Sequence, residues 1–231
     1  MPKLKSLDIS RNRMQHPQTI PVLLSSLPAL RTLTLAENAI QGEVLVDGVT
    51  PPGMRVLDLR GNQIRYLGIA TIMASLKTLD LTGNPTLECV DAAKHSLPRL
   101  YTARFRGTAL RELQFLAQAC PKVTEVDIGG CYFMMHLPRM KNVKKVFLDG
   151  CGHPQLLESL QGMPRLQSVW VDPTRPRRSD SVSGRPASRS TGKGQSRISS
   201  SIGASHIRPT AWYMTARSLS IHPSRSRTPP R

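Results

Sequence analysis

Apolar and polar positions alternate along the first three-quarters of this chain in one frame, L-x-x-L-x-L-x-x-N-x-L. It reads clearly as LKSLDISRNRM (Leu4–Met14), LRTLTLAENAI (Leu30–Ile40), MRVLDLRGNQI (Met54–Ile64) and LKTLDLTGNPTL (Leu76–Leu87). Degraded copies follow as LYTARFRGTAL (Leu100–Leu110), VTEVDIGGCYF (Val123–Phe133), VKKVFLDGCGH (Val143–His153) and LQSVWVD (Leu166–Asp172). Successive copies start 26, 24, 22, 24, 23, 20 and 23 residues apart. The two apolar residues spaced by two, such as Leu57 and Leu59, predict a short strand with both side chains on one face. Stacked copies predict a parallel sheet. The polar residue after each strand, Asn12, Asn38, Asn62 and Asn84, is expected to turn the chain and bond backbone groups of neighbouring coils. From the fifth copy it becomes Thr108, Cys131 and Cys151, which offer fewer hydrogen bonds than an amide.

This frame and period resemble those of leucine-rich repeat proteins over residues 4–172. The resemblance implies an α/β class solenoid, a right-handed horseshoe with a parallel concave sheet and a mixed helix and turn convex side. The linking segments IPVLLSSL (Ile20–Leu27) and LRELQFLAQAC (Leu110–Cys120) carry helix-like apolar spacing. QGEVLVDGVTPPG (Gln41–Gly53) reads as too rich in Gly and Pro for a helix and is expected to form turns or 3₁₀ pieces. Pro2, Pro28, Pro98, Pro121 and Pro164 recur just before the frame, where proline ends a helix and favours extended backbone. Met1 lies three residues before the first frame position, which predicts either a piece of a longer parent or a first coil covered by another subunit. Two segments are expected: a solenoid over 1–172 and a tail over 173–231.

Charge separates those segments. The chain has 231 residues, 32 Lys plus Arg against 15 Asp plus Glu, and a net charge of +17. Residues 173–231 hold 12 of the basic residues and a single acid, Asp180. Dominated by Ser, Arg, Pro and Gly, that tail is expected to be disordered. Its apolar island TAWYMTA (Thr210–Ala216) reads either as a docking segment or as an accident of composition. Arg177, Arg178 and Arg185 stand two or three residues before serines, as in substrates of basophilic kinases, or simply as common tail residues. Such a tail can also bind nucleic acid, anionic lipid or an acidic protein surface without reading sequence. No run of eighteen apolar residues and no secretory leader pattern occurs, which predicts a soluble, intracellular, cytoplasmic chain with reduced cysteines, the nucleus or cytoskeleton being alternatives. A monomer is expected.

In stacked coils the residues flanking the strand leucines form columns about 4.8 Å apart on the open sheet face. The column between the paired apolar positions runs Asp8, Thr34, Asp58, Asp80, Arg104, Asp127, Phe147 and Trp170. These eight are the candidate partner-binding residues, with Phe147 and Trp170 as anchors because large aromatics dominate binding energy in such patches. A basic series, Lys5, Arg31, Arg55, Lys77 and Lys144, flanks the column and is interrupted by Tyr101. The competing readings are repeat consensus with solvated charges for the acids, and a cover over the end of the core for Trp170.

Signs of catalysis are weak. The histidines show no H-E-x-x-H spacing and the cysteines no C-x-x-C pair, so no metal or cofactor is assigned; Cys131 and Cys151 read as a thiol ladder. TGKGQS (Thr191–Ser196) lacks the glycine spacing and preceding strand of a phosphate loop. Asp58 and Asp80 should be neighbours, yet an open sheet lacks the desolvated cleft that tunes a catalytic carboxyl. The expected function is a non-enzymatic protein-interaction module. The alternatives are a nucleic-acid- or anionic-surface-associated protein acting through its tail, and a fragment of a larger leucine-rich repeat protein.

Overall fold

The computed structural model describes residues 3–151 and 153–171. The expectations for the tail, including the Thr210–Ala216 island, the serine sites and the phosphate-loop resemblance, lie outside the described residues.

Each frame copy forms one three-residue strand. These are β1 (Ser6–Asp8), β2 (Thr32–Thr34), β4 (Val56–Asp58), β6 (Thr78–Asp80), β8 (Thr102–Arg104), β9 (Glu125–Asp127), β10 (Lys145–Phe147) and β11 (Ser168–Trp170). They make one eight-stranded sheet in the order β1-β2-β4-β6-β8-β9-β10-β11, parallel at every pairing. The middle residue of each strand points inward. Leu33, Leu57, Leu79, Ala103, Val126 and Val146 are fully buried. In the outermost coils Leu7 and Val169 are only partly buried. A coil alone would leave this row in water; stacking covers it from both sides, and each buried leucine is worth about 1.5–3 kcal/mol.

The Asn ladder forms as the frame predicts. The Asn62 amide donates to Leu35 O at 3.0 Å in the coil before and to Leu59 O at 2.9 Å in its own, while its Oδ1 accepts from Ile40 N at 3.2 Å. Asn84 repeats the pattern one coil on, with Leu59, Leu81 and Ile64. Later coils keep the site with weaker groups. Thr108 Oγ1 and Cys131 Sγ both donate to Phe105 O, at 2.8 and 3.1 Å, and Cys151 Sγ donates to Ile128 O at 2.8 Å.

The opposite side departs from expectation in one region. Gln41–Gly53 holds a strand, β3 (Gln41–Val46), which pairs in parallel with β5 (Gln63–Ile69), itself paired with β7 (Cys89–Ala92). The residues explain the correction. Val44 and Val46 are buried while Leu45 between them is half exposed, a period-two pattern of β-favouring side chains. The breakers Gly48, Pro51, Pro52 and Gly53 come after the strand ends. Helices flank this short sheet: α1 (Thr19–Ser26) packs beside β3 and α2 (Gln114–Ala119) beside β7. Neither outer edge is left as a bare strand. Phe105 meets Phe115 of α2 edge-on, with ring centroids 6.0 Å apart. A third helix, α3 (Pro154–Leu160), begins on a proline, whose missing N–H is harmless in a first turn.

Candidate functional site

The open face of the eight-stranded sheet carries the predicted column in perfect register. Asp8 pairs with Thr34, Thr34 with Asp58, Asp58 with Asp80, Asp80 with Arg104, Arg104 with Asp127, Asp127 with Phe147 and Phe147 with Trp170. What the side chains do along it divides them into two groups.

The acids serve the fold. Asp8, Asp58, Asp80 and Asp127 each accept, through Oδ1, the backbone N–H two residues on, at 2.9, 3.1, 3.0 and 3.0 Å. This is the aspartate turn that bends the chain out of the strand. Asp58 and Asp80 are buried, at 9% and 7% exposure, so the reading of them as solvated charges does not hold. Burial pushes the Asp58 carboxyl above its ordinary value against the opposing pull of Arg60, with Asp80 and Asp8 adding to the rise.

Arginines pair with three of these acids, Asp58, Asp80 and Asp127. Arg60 lies 3.4 Å from Asp58, and Arg104 lies 3.6 Å from both Asp80 and Glu125. Arg106 bonds Asp127 at 3.2 Å and also Asp149, two coils from its own. The reach depends on Gly129, which occupies the same frame position in the coil between. A Cβ there would meet the Arg106 guanidinium carbon at 2.7 Å. Sequence reasoning missed Asp149 and Glu125 as partners. The signal was present in one column of three consecutive coils, which reads Arg106, Gly129, Asp149.

Phe147 and Trp170 behave differently. Their rings stack with centroids 5.9 Å apart and planes 11° from parallel. Trp170 is 52% exposed and lies on the open face beside Phe147, so it does not fold over the end of the core. Thr34 is partly exposed and forms no turn of the aspartate type.

Thiol chemistry is suppressed. Cys89, Cys120, Cys131 and Cys151 are all unpaired. Burial pushes Cys120 up to about 12 and Cys151 up to about 11, and raises Cys131 and Cys89 as well. A thiol so protonated at neutral pH is a poor nucleophile and a poor metal ligand. Among the described residues no cluster of three or more His, Cys, Asp or Glu is placed to hold a metal ion. No described helix is long and apolar enough to cross a membrane.

A family model described as leucine-rich repeat matches residues 54–73, the third coil. The chain is similar to the leucine-rich repeat serine/threonine-protein kinase 1 of Caenorhabditis elegans, at 32% identity over 95 residues. That match covers 41% of this chain and spans about 4% of the length of that protein. Repeating frame, parallel stack, asparagine ladder and family match at the third coil agree on a leucine-rich repeat solenoid.

Proposed function

We propose that residues 1–172 act as one interaction domain that binds a protein partner on the open face of the eight-stranded sheet, and that residues 173–231 are a separate basic tail. Leucine-rich repeats are non-catalytic and generally mediate protein–protein interaction. The observation that carries the reading is the stacked, solvent-facing Phe147–Trp170 pair. Of the eight candidate residues, Asp8, Asp58, Asp80 and Asp127 are committed to turns and Arg104 to ion pairs, while Thr34 is a minor contact. The aromatics alone offer large apolar area to a partner, and such anchors carry most of the energy of an interface.

The test is capture from cell extract by the full chain, by the chain without residues 173–231, and by Phe147→Ala/Trp170→Ala. The main partner should survive the deletion and be lost with the double substitution. A partner lost only with the deletion would transfer the function to the tail.

A second reading has one observation in its favour. The curated relative is a kinase of which the match occupies a small part, which suits a chain that is one segment of a larger multidomain protein. Transcript sequence upstream of Met1 decides it: a further in-frame L-x-x-L-x-L copy supports the longer protein, and an in-frame stop directly upstream opposes it.

A further inference from the structure

Two residues in every coil mark the onset of the strand, one on each side of the first frame position. In five coils the residue after that position is a cation: Lys5, Arg31, Arg55, Lys77 and Lys144. In the other three the residue before it is, namely Arg99, Lys122 and Arg165. Counting Lys3, nine of these sixteen positions are basic and none is acidic, although residues 1–172 contain 14 acids. All nine are exposed.

The arginines of the ion pairs described above lie at or just past the other end of the strands, and of their acidic partners only Glu125 stands at a strand start. Among the described residues the paired arginines are Arg11, Arg60, Arg65, Arg104 and Arg106, and no cation of the onset rim is among them. Arg165 donates to the neutral amide of Asn142 at 2.9 Å. Backbone bonds hold successive rim residues in file: Arg31 N donates to Lys5 O at 2.7 Å, Arg55 N to Arg31 O at 2.7 Å and Lys77 N to Arg55 O at 2.8 Å. The sheet therefore has a charge-compensated edge where strands end and an uncompensated cationic edge where they begin.

From this asymmetry we infer that the onset rim is a binding rail for an extended, Asp- and Glu-rich polypeptide segment laid across the strands. The inference deepens the proposed function, since it names the chemistry of the partner on that same face. Seven strand-to-strand steps span about 34 Å, which an extended segment of about ten residues covers. Every coil then presents a cation to it, and the segment ends in the coils that carry Phe147 and Trp170, which lie one strand length, about 10 Å, from the rim at the far end of β10 and β11. A file one residue wide suits a single chain better than a lipid surface, which meets a field of charge. Tyr101 is the one aromatic at the sixteen onset positions. Stacking of successive nucleic-acid bases has no platform there.

The test uses the full chain and a fluorescein-labelled deca-glutamate peptide at about 0.15 M salt, where exposed charges more than a Debye length apart are screened. Arg31→Glu/Arg55→Glu/Lys77→Glu is compared with Arg177→Glu/Arg178→Glu/Arg185→Glu, which changes net charge equally. The rim variant should bind about tenfold or more weakly and the tail variant less than about threefold. Equal loss in both, or greater loss in the tail variant, overturns the inference. Arg31→Gln/Arg55→Gln/Lys77→Gln is the second variant should reversal disturb folding, and unchanged binding by it also overturns the inference. A ten-nucleotide uridine RNA and phosphatidylserine vesicles are the comparison ligands; a larger rim effect on either than on the peptide overturns the choice of polypeptide. Loss of partner capture in the Phe147→Ala/Trp170→Ala variant alone, with peptide binding independent of the rim, would leave the proposed function standing and remove this inference.

Discussion

At the scale of single residues, one position of the repeat is filled by groups of unequal strength, and that inequality can be measured. Asn62, only 2% exposed, joins the backbones of two adjacent coils. In Asn62→Ala, Leu35 O and Leu59 O keep partners in Asn38 and Asn84, but Ile40 N loses its bond. An orphaned buried N–H together with the lost amide contacts should cost about 2–3 kcal/mol. Cys131→Ala removes one thiol donor to Phe105 O, which Thr108 still serves, and should cost about 1 kcal/mol. Urea unfolding of the two variants checks the order; equal costs would mean that the amide is no better than a thiol here. Asp58 supplies a second measurement. Because burial raises its folded-state value, the fold favours the protonated form, and its ionised form is a cost present at pH 7. That cost fades as pH falls toward about 4, where the unfolded carboxyl also takes up a proton. Asp58→Asn keeps an oxygen for the Arg60 N–H. Its stability relative to the unsubstituted chain should therefore be highest at neutral pH and decline on acidification; the reverse trend would make the carboxylate a stabilising charge.

At the scale of elements, the strands and their register were legible because side-chain direction has period two and each coil contributes one frame copy. All eight positions of the column followed from that alone. The turns after the strands were only half legible. The residue before the ladder position sits at positive φ in each of the first seven coils, as Gly61, Gly83, Gly107, Gly130 and Gly150 but as Arg11 and Glu37 in the first two. In those two coils the strained pair bond each other at 2.8 Å, which offsets part of a cost of about 1–2 kcal/mol per residue. The short sheet was missed for a different reason. Its glycines and prolines dominate the composition of Gln41–Gly53, whereas the strand lies in the few residues before most of them, and composition averages over that order. The pairing of Arg104 and Arg106 with acids was hidden because it depends on reach across coils, for Arg106 past Gly129, and not on spacing within a coil.

At the scale of the whole solenoid, each coil touches only its neighbours, so stability need not be uniform along it. The third and fourth coils have fully buried Leu57, Leu59, Leu79 and Leu81, ladder amides with several bonds each, and the short sheet behind them. The seventh and eighth have Cys151 with a single ladder bond, a partly buried Val169 and Leu166, and, among the described residues, no strand of the short sheet. Fewer buried contacts and weaker ladder bonds mean a lower local opening free energy, and each 1.4 kcal/mol of difference changes exchange about tenfold. Hydrogen exchange followed by mass spectrometry should thus find the amides of β10 and β11 exchanging at least about tenfold faster than those of β4 and β6. Uniform protection across all four strands would show one cooperative unit, in which the weaker coils are held by the stronger. Under the gradient, the aromatic anchors sit on the least protected coils. Partner binding at Phe147 and Trp170 should then slow exchange in β10 and β11 more than anywhere else, because ordering those coils is the change that the partner's contacts would favour.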